Sequence, residues 1–492
     1  MQTRRLFIGN VATSLAGSLA TGKVLGANDR LRLGVIGVGE RGTQLAREAI
    51  SCPNVDLAAF SDVYSRRLAD ASALAKDGKL HADYTELLAD KSVDAVIIAT
   101  PQHLHAEPFI AALEQGKHVY VERAMAFTLD EAKRMRTAAQ QHPLAKVQIG
   151  HQFCSSGHAV DAIEYLSSGA LGQVTAIRSH LFRNTPHGKP QWARPVFPDM
   201  TPENIAWQGF LGSATERDFD AHRFANWRYY SDYSGGSIHE NLSQQLAFWY
   251  RVMDIGIPTS VTMRGGIYRW KDGREVPDTM TVAMEHTNCP WGDLLFTWDS
   301  GFGNNHPGMM EELLGTDATL VRAQQLRLLP QKVIQSAGVE LTGQTQTAPR
   351  AHMQNFLDSI RTGHTTNCSV ETGFKVSATC RMAEHSHPDS LRVDCVQPDL
   401  VHCDRICSEV HRIVLPYVLL YLPARASMVR AQNPIADIEY YLLPDDRMIH
   451  DVGDKRSTSV QRAAGMAAAN VVYQPMREVL QRDGNACRLM VF

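Results

Sequence analysis

The sequence predicts an α/β fold that begins with a doubly wound parallel sheet. The stretch LRLGVIGVGERGTQLAREAI, at 31–50, reads as a short apolar strand, a glycine loop and a helix. A second apolar run, VDLAAF, follows at 55–60. Apolar runs then alternate with helical segments as far as residue 150. This alternation is typical of parallel strands with helices packed on both faces of the sheet.

Each later element follows from its local pattern. In chain order the pattern predicts a strand at 94–100, a helix from Leu104 to Gln115, a strand at 118–122, a helix from Leu129 to Gln140 and a strand at 146–150. Thr100 and Pro101 join the first of these strands to its helix, where threonine can cap and proline suits the first turn. The same position also places them beside any ligand bound at the carboxyl end of the sheet.

The glycine loop predicts a dinucleotide site. Gly37, Gly39 and Gly42 form GxGxxG, which is a weak signal when it stands alone. Asp62 strengthens it, because a carboxylate at the end of the second strand can accept hydrogen bonds from an adenosine ribose. The start of the first helix would then face the pyrophosphate. NAD is the expected cofactor, and NADP stays open because Arg66 and Arg67 could meet a 2′-phosphate or could belong to a solvated helix face.

Composition excludes several classes of protein. The chain has 492 residues, 44% hydrophobic and 21% charged, which is ordinary for a globular enzyme of two or three domains. Its net charge is -3 and its basic residues are spread out, so we expect no nucleic-acid partner. Nine scattered cysteines indicate no disulfide framework. HCDRICSEVH at 402–411 lacks the usual CxxC pairing, so we expect no metal site.

The first 28 residues have the layout of a twin-arginine export signal. Arg4 and Arg5 precede a weakly apolar run that is too short and too polar to span a bilayer. We therefore expect a periplasmic or extracytoplasmic protein, with a frayed basic N-terminus as the alternative. The run at 413–424 is short and contains two prolines, so no stable membrane span is expected there.

Several ordered motifs make a family resemblance specific. They are VIGVGERG (35–42), ATPQHLHAE (99–107), NWRYYSDYSGG (226–236), GREVPDT (273–279) and HMQNFLDSIRTG (352–363). Over residues 30–383 the chain resembles the Gfo/Idh/MocA family of oxidoreductases. The resemblance implies a Rossmann domain at 29–150 and, at 151–383, an α/β domain with a large, open, mostly antiparallel sheet. It further implies a small carbohydrate substrate, His105 and Glu122 near the cofactor, and subunits that pair through the open sheet.

The chain departs from the family pattern at the loop after the fourth predicted strand. Family members usually carry Glu-Lys-Pro where this chain has Glu122, Arg123 and Ala124. Arg123 can donate hydrogen bonds and hold positive charge, but it cannot exchange a proton near neutral pH. We therefore interpret Arg123 as an orienting cation. Ala124 lacks the fixed φ of proline, which leaves the loop geometry open.

The second departure lies in GGSIHENLSQQL at 235–246. Counting from the two glycines, Glu240 stands where the family has Asp and Gln244 where it has His. Gln244 can hydrogen-bond a hydroxyl but cannot hold its proton. Glu240 is then the first candidate base, and His239 points about 100° away around a helix. Both could instead be ordinary helix-start residues. Further candidates are Tyr229, Tyr230, Tyr233 and His187.

These features leave three hypotheses for function. The first is an oxidoreductase that passes hydride between a sugar and a nicotinamide. Because no dinucleotide pool is expected outside the cytoplasm, export favours a tightly held cofactor. It thereby also favours the second hypothesis, which the family resemblance supplies, because some similar proteins are redox-neutral glycoside hydrolases that oxidise, eliminate, add water and reduce. The third hypothesis is a catalytically impaired sugar-binding protein, suggested by Arg123 and Gln244.

Residues 384–492 do not match the family pattern. This segment contains three glycines, eleven arginines and one lysine, Lys455. A shifted reading frame near Glu384 would explain the composition. The alternative is a lineage-specific extension with an amphipathic helix near 460–482.

Overall fold

The first sheet of the computed structural model has six parallel strands. The structure describes residues 30–186, 188–331, 341–345, 349–387 and 393–394. The strands are β1 (Leu31–Ile36), β2 (Val55–Ser61), β3 (Lys79–His81), β4 (Ala95–Ile98), β5 (His118–Val121) and β6 (Val147–Ile149), in the order β3-β2-β1-β4-β5-β6. This confirms the doubly wound sheet. The sequence reading missed β3, which has only three residues and no apolar run.

Five helices belong to this sheet. They are α1 (Glu40–Ile50), α2 (Ser65–Ala71), α3 (Tyr84–Ala89), α4 (Ala106–Glu114) and α5 (Leu129–Gln141). The predicted start of α4 at Leu104 is wrong, because a 3₁₀ turn at Gln102–Leu104 comes first. The hydroxyl of Thr100 donates to the carbonyl of Leu104 over 3.0 Å, and Pro101 immediately precedes this turn. Thr100 therefore closes the turn. The sequence had suggested that Thr100 caps the helix, which it does not do.

The second sheet is open and mostly antiparallel, as expected. Its strands are β7 (Val174–Phe182), β8 (Ser260–Gly266), β9 (Thr279–Cys289), β10 (Gly292–Gly301), β11 (Met309–Gly315), β12 (Ala318–Arg322), β13 (Gln325–Pro330), β14 (Leu341–Thr345) and β15 (Val393–Asp394). Their order is β14-β13-β12-β11-β7-β10-β9-β8-β15. Among these described strands β7 and β10 pair in parallel, and the other pairs are antiparallel.

Six helices accompany the second sheet. They are α6 (Gly157–Ser168), α7 (Trp207–Leu211), α8 (Ala221–Ala225), α9 (Ser243–Met253), α10 (Arg350–Thr362) and α11 (Val370–Ser386). A π-helical turn at Ile238–Leu242 runs directly into α9. Such turns are often found at functional sites. Here the turn carries both His239 and Glu240, so the geometry of this turn decides where the two side chains point.

Helix α10 packs on the first sheet, and helix α11 contacts both sheets. Met353, Phe356 and Leu357 are buried in the same apolar cluster as Leu33 and Val35 of β1. Helix α11 packs against α5 and β8 and continues through Ser386. The carboxyl ends of β4 and β5 are thereby held opposite the segment that contains Glu240.

Several expectations fall on residues outside the described ranges. They concern the export signal at 1–28, His187, the cluster at 402–411 and nearly all of the 384–492 tail. Within the described residues, no helix is both long and apolar enough to cross a bilayer. The same part of the chain contains no group of three or more His, Cys, Asp or Glu side chains placed to hold a metal ion.

Candidate functional site

The three loop glycines have three different structural roles. Gly37 has a φ of 83°, and a Cβ there would lie 2.8 Å from the backbone N of Thr100. A Cβ on Gly42 would lie 1.8 Å from the carbonyl oxygen of Gly37, so helix and loop are in close contact. At Gly39 a Cβ would meet only the Arg67 guanidinium, at 3.6 Å. The loop is therefore tight at its first and last glycines and open at the middle one, which leaves room for a ligand to approach the backbone.

The start of α1 can accept an anion. Gly39 occupies the N-cap position, and no side chain caps the helix there. The first N–H groups of a helix have no partner within it, and the helix dipole adds partial positive charge at this end. A bound pyrophosphate would accept hydrogen bonds from these N–H groups and would balance the partial positive charge.

Asp62 is fixed beside the glycine loop. One carboxylate oxygen accepts a 2.9 Å hydrogen bond from the backbone N–H of Val38, and the other accepts one of 2.9 Å from Tyr64. The Arg67 guanidinium lies 3.8 Å from this carboxylate and 4.9 Å from the centre of the Phe224 ring. Arg66 turns away and pairs with Asp199 at 3.0 Å. Of the two arginines, Arg67 alone lies where a 2′-phosphate could reach it.

A cavity of about 1030 Å³ lies between the glycine loop and the second sheet. The predicted residues that line it are Gly37, Gly39, Asp62, Thr100, Pro101, Glu122, Arg123 and Glu240. They come from β1, β2, β4 and β5 on one side and from the turn before α9 on the other. A cavity of this size is at the upper end of the usual range for ligand sites, large enough for an extended ligand and a second small molecule.

A buried carboxylate with two arginines stands at the end of β5. The Nε of Arg41 donates to Glu122 over 2.8 Å, and Arg123 donates to the other carboxylate oxygen from both its backbone N–H and its guanidinium, each over 3.1 Å. Burial alone would raise the pKa of Glu122, but Arg41 and Arg123 hold it down to about 2. Glu122 is therefore ionised throughout the neutral range. The Arg123–Ala124 peptide bond that follows is cis.

Glu240 is the carboxylate on the opposite side of the cavity. It is only 8% exposed and accepts a 2.9 Å hydrogen bond from the Nε of Arg228. An Arg123 guanidinium nitrogen lies 3.9 Å from the same carboxylate, and the Nε of Arg123 donates to the backbone carbonyl of Glu240 over 3.3 Å. Arg123 thus bridges Glu122, at the end of β5, and Glu240, in the turn before α9.

His239 and Gln244 do not join this group. His239 is buried, and its Nε2 lies 3.3 Å from Glu384 on α11, on the far side of the turn from the cavity-lining Glu240. Burial opposes ionisation of Glu384, but His239 and Arg381 lower its pKa to about 2. Gln244 faces the buried imidazole of His151 and does not line the cavity. The family position that usually carries the base is therefore outside the cavity in this chain.

His105, which the resemblance places near the cofactor, lies behind the cavity wall. Its Nδ1 is 2.9 Å from the carbonyl of Ala124 and its Nε2 is 3.0 Å from the carbonyl of Thr100. Burial lowers the pKa of this imidazole. His105 thereby connects the ends of β4 and β5, and it positions Thr100 and the loop after Glu122 without reaching the cavity.

The three candidate tyrosines also lie outside the cavity lining. Tyr229, Tyr230 and Tyr233 are buried in an aromatic cluster with Phe210 and Phe224. Burial raises the pKa of Tyr229 to about 12. These phenols therefore belong to the packed aromatic cluster behind the cavity wall. They are poorly suited to accept or release a proton near neutral pH.

Other lining residues were missed by the sequence reading. Among them are His103, Arg183, Trp192, Arg194 and Arg228. The Nε2 of His103 donates to the carbonyl of Phe210 over 2.8 Å, and burial lowers the pKa of this imidazole to about 4. Arg183, Trp192 and Arg194 belong to an irregular segment without hydrophobic periodicity, so no local pattern marks them. Arg228 lies within NWRYYSDYSGG and His103 within ATPQHLHAE, and these motifs were the signals in the sequence that could have marked the two residues.

Fold and site together define a dinucleotide-binding protein of the Rossmann class, with a second domain that closes its nicotinamide end. Residues 31–151 match the sequence profile of an oxidoreductase family with an NAD-binding Rossmann fold, GFO_IDH_MocA. The domain at residues 31–151 is therefore similar to the NAD-binding domain of the Gfo/Idh/MocA oxidoreductases, and NAD is the cofactor of this fold.

Three similar proteins, two curated relatives and one solved structure, show how much of the chain is shared with known proteins. Inositol 2-dehydrogenase of Salmonella typhimurium is 30% identical over 177 residues, which are 36% of this chain and 50% of that protein. A glycosyl hydrolase family 109 protein of Solibacter usitatus is 28% identical over 34% of this chain and 42% of its own length. The chain thus spans about half the length of these curated relatives. A levoglucosan dehydrogenase, solved with NADH and levoglucosan, shares the fold at a TM-score of 0.58 and 17% identity, covering 75% of this chain and all of that one.

The glycine roles can be separated by substitution. Gly42→Ala should lower the free energy of unfolding by about 2 kcal/mol or more, because the new methyl group overlaps the Gly37 carbonyl. Gly39→Ala should leave stability nearly unchanged and weaken NAD binding by roughly tenfold, since its methyl group projects toward the nucleotide. Chemical denaturation and a fluorescence titration with NAD measure the two effects. Gly256→Ala, which has open space around it, is the control. Equal loss of stability in both loop variants would contradict this assignment.

Proposed function

We propose that this protein transfers hydride between a sugar carbon and a bound NAD. One observation carries the proposal: a single cavity joins the glycine loop and Asp62 to Arg123 and Glu240. When bound, the nicotinamide supplies the hydride acceptor. Asp62 marks the adenosine side of β1, whereas Glu122 follows β5 on the other side of β1. The nicotinamide half of the ligand therefore belongs beside Glu122, Arg123 and Glu240.

Glu240 is the proposed proton acceptor. Oxidation of a sugar hydroxyl releases a proton, and a base must lie within reach of that hydroxyl. Several predicted candidates among the described residues line the cavity. Of these, Glu240 alone is a carboxylate on the second domain, opposite the nucleotide. Glu122 is unsuited, because a pKa of about 2 makes it a very weak base. Arg123, fixed between the two carboxylates, would orient the substrate oxygens.

The structure supports a cofactor that leaves slowly. We call residues 188–206 the strap, because this segment leaves the second sheet and crosses the nucleotide side of the cavity. Asn226 fastens it: its side chain accepts a 2.7 Å hydrogen bond from the Arg194 backbone N–H and donates to the Arg194 carbonyl over 3.2 Å. At its far end the Ala206 N–H donates to the carbonyl of Val63 over 2.8 Å. Release of a dinucleotide would require these contacts to open.

Enclosure of the cofactor favours a second candidate as well, a redox-neutral glycoside hydrolase. In that reaction the sugar would be oxidised at C3, lose its aglycone by elimination after removal of the C2 proton, add water and take back the hydride. No cofactor exchange is needed. The glycosyl hydrolase family 109 relative lends this candidate support.

We also propose export through the twin-arginine route and assembly through the open sheet. Arg4 and Arg5 support the first. For the second, the face of the sheet away from α9 carries the exposed Leu295 on β10. Tight cofactor retention would suit a protein that works where free NAD is absent.

We further propose that Arg67 permits weaker use of NADP, because its guanidinium lies beside Asp62.

The first prediction concerns the balance of hydride. Purified protein should contain NAD, and incubation with a panel of free sugars should produce NADH and oxidised sugar in equal amounts. Absorbance at the NADH band and product analysis measure this. Sugar release from glycosides without net NADH would select the hydrolase, whereas an unchanged nucleotide with every sugar and glycoside would select the impaired binder.

The second prediction concerns Glu240. Glu240→Gln should slow single-turnover reduction of the bound NAD by roughly 100- to 10,000-fold, because the amide cannot take the proton. The amount of bound nucleotide should not change. Glu164→Gln, an exposed carboxylate on α6, is the matched control. A rate in Glu240→Gln close to that of the control would remove Glu240 as the base.

The third prediction concerns the strap. Asn226→Ala removes its hydrogen bonds to the Arg194 backbone and should raise the dissociation rate of NAD by roughly tenfold or more. Arg194→Ala removes an exposed ion pair with Glu40 and a 3.3 Å hydrogen bond to the Ala193 carbonyl, but leaves the Asn226 contacts to the backbone, and should change that rate by a few-fold at most. Stopped-flow displacement of NADH by excess NAD gives both rates. Unchanged release from Asn226→Ala would mean that the strap does not retain the nucleotide.

A further inference from the structure

We infer that the substrate carries an anionic substituent, a carboxylate or a phosphate, and that Arg183 binds it. This inference rests on the proposed function and narrows its substrate class. It starts from the charge of the cavity at its nicotinamide end. There the arginines Arg41, Arg123, Arg183 and Arg228 surround two carboxylates, Glu122 and Glu240. Positive charge therefore exceeds negative charge by two in this group.

Three of the four guanidinium groups already have partners. Arg41 is bound to Glu122, Arg123 lies between Glu122 and Glu240, and Arg228 donates to Glu240. Arg183 is different. Its backbone N–H donates to the carbonyl of Gly301, but its guanidinium has no hydrogen bond or ion pair among the described residues.

The surroundings of Arg183 explain why it needs a counter-charge. Its side chain is exposed to the cavity, yet the walls around it are close enough that burial lowers its pKa. The neighbouring positive charge of Arg123 lowers this pKa further, and Glu240 only partly offsets the effect. A cation in such a place is stabilised by an anion that enters the cavity. A neutral sugar would leave the excess charge uncompensated.

One further carboxylate, Glu131, lines the same cavity. It does not supply the missing charge to Arg183, because one of its oxygens accepts hydrogen bonds from the backbone N–H groups of Phe127 and Thr128 at the start of α5. Glu48, which lies 3.6 Å from Arg41 and does not line the cavity, is likewise engaged elsewhere, so neither carboxylate is a partner of the Arg183 guanidinium.

The position of Arg183 argues for the substrate and against the phosphates of NAD. The pyrophosphate belongs at the start of α1, next to Gly39. Arg183 instead follows β7 of the second sheet, directly after Phe182, and its electrostatic neighbours are Arg123 and Glu240. It therefore lies on the wall formed by the second domain, where the proposed proton acceptor stands.

A guanidinium matches carboxylate and phosphate oxygens with two parallel hydrogen bonds. Such a contact would also fix the orientation of the sugar, because one end would be held at Arg183 while a hydroxyl faces Glu240. The expected substrates are thus sugar acids, such as hexuronic acids, or phosphorylated sugars. The free acids and the phosphates share the recognition chemistry, and binding measurements separate them.

The test compares charged sugars with their neutral parents. The full-length NAD-loaded protein is titrated by calorimetry with D-glucuronate, D-galacturonate and D-glucose 6-phosphate, and with D-glucose and D-galactose. We expect at least one charged ligand to bind tenfold or more tightly than its parent. Preference for a hexuronate would assign the carboxylate, and preference for the 6-phosphate would assign the phosphate. Arg183→Met should weaken that ligand by roughly 10- to 100-fold, as expected for a charge-assisted contact, and should leave the neutral parent within twofold.

Arg178→Met is the matched control, because Arg178 lies on β7, the strand that Arg183 follows, is exposed and does not line the cavity. It should change neither binding constant. Equal binding of charged and neutral sugars, or binding of none of the charged ligands by NAD-loaded protein, would overturn the inference while leaving hydride transfer to other sugars intact. Weaker NAD binding in Arg183→Met, with no loss of the charged sugar, would assign this arginine to the cofactor. Failure of the protein to bind NAD at all would instead overturn the proposed function.

Discussion

The site depends on one ionic contact, the pairing of Glu122 with Arg41 and Arg123. Arg41 belongs to the helix that follows the glycine loop, and Glu122 ends β5, so their contact fixes the loop against the sheet. Arg123 extends the same network to Glu240 in the second domain. Removing one partner of a buried pair leaves an uncompensated charge and is far more costly than the pair is stabilising. The geometry of both halves of the cavity thus follows from three charged groups.

This network is insensitive to ordinary changes of pH. The pKa of Glu122 is lowered to about 2 in the folded protein, below the usual value of about 4.3 for a glutamate. The stability it contributes is therefore fully present above the unfolded pKa and is lost only as the pH falls toward 2. Any pH dependence of turnover near neutrality must arise elsewhere, either from the substrate or from groups that move a proton.

The sequence predicted the first domain well, since its evidence is local. Gly37, Gly39, Gly42 and Asp62 stand at fixed offsets from apolar strands, and the structure brings them together on that basis. The second half of the site could not be obtained in the same way. The count from the two glycines made Gln244 a site residue together with Glu240, but the π-helical turn changes the rotation per residue just before α9. Arg183 has no sequence signal, because its place in the cavity results from the pairing of β7 with β10 and β11.

The family position that usually carries a histidine base is outside the cavity here, and the usual lysine is replaced by an arginine that cannot release a proton. In the proposed reaction, proton transfer falls to Glu240, a carboxylate held between guanidinium groups. A guanidinium group that also contacts the substrate stabilises the negative charge that develops on the substrate oxygen as its proton leaves. This stabilisation acts in the transition state and so lowers the barrier to the reaction. Arg123 lines the cavity 3.9 Å from the Glu240 carboxylate, where it can contact the substrate oxygen, whereas the 2.9 Å bond from Arg228 keeps the carboxylate in place.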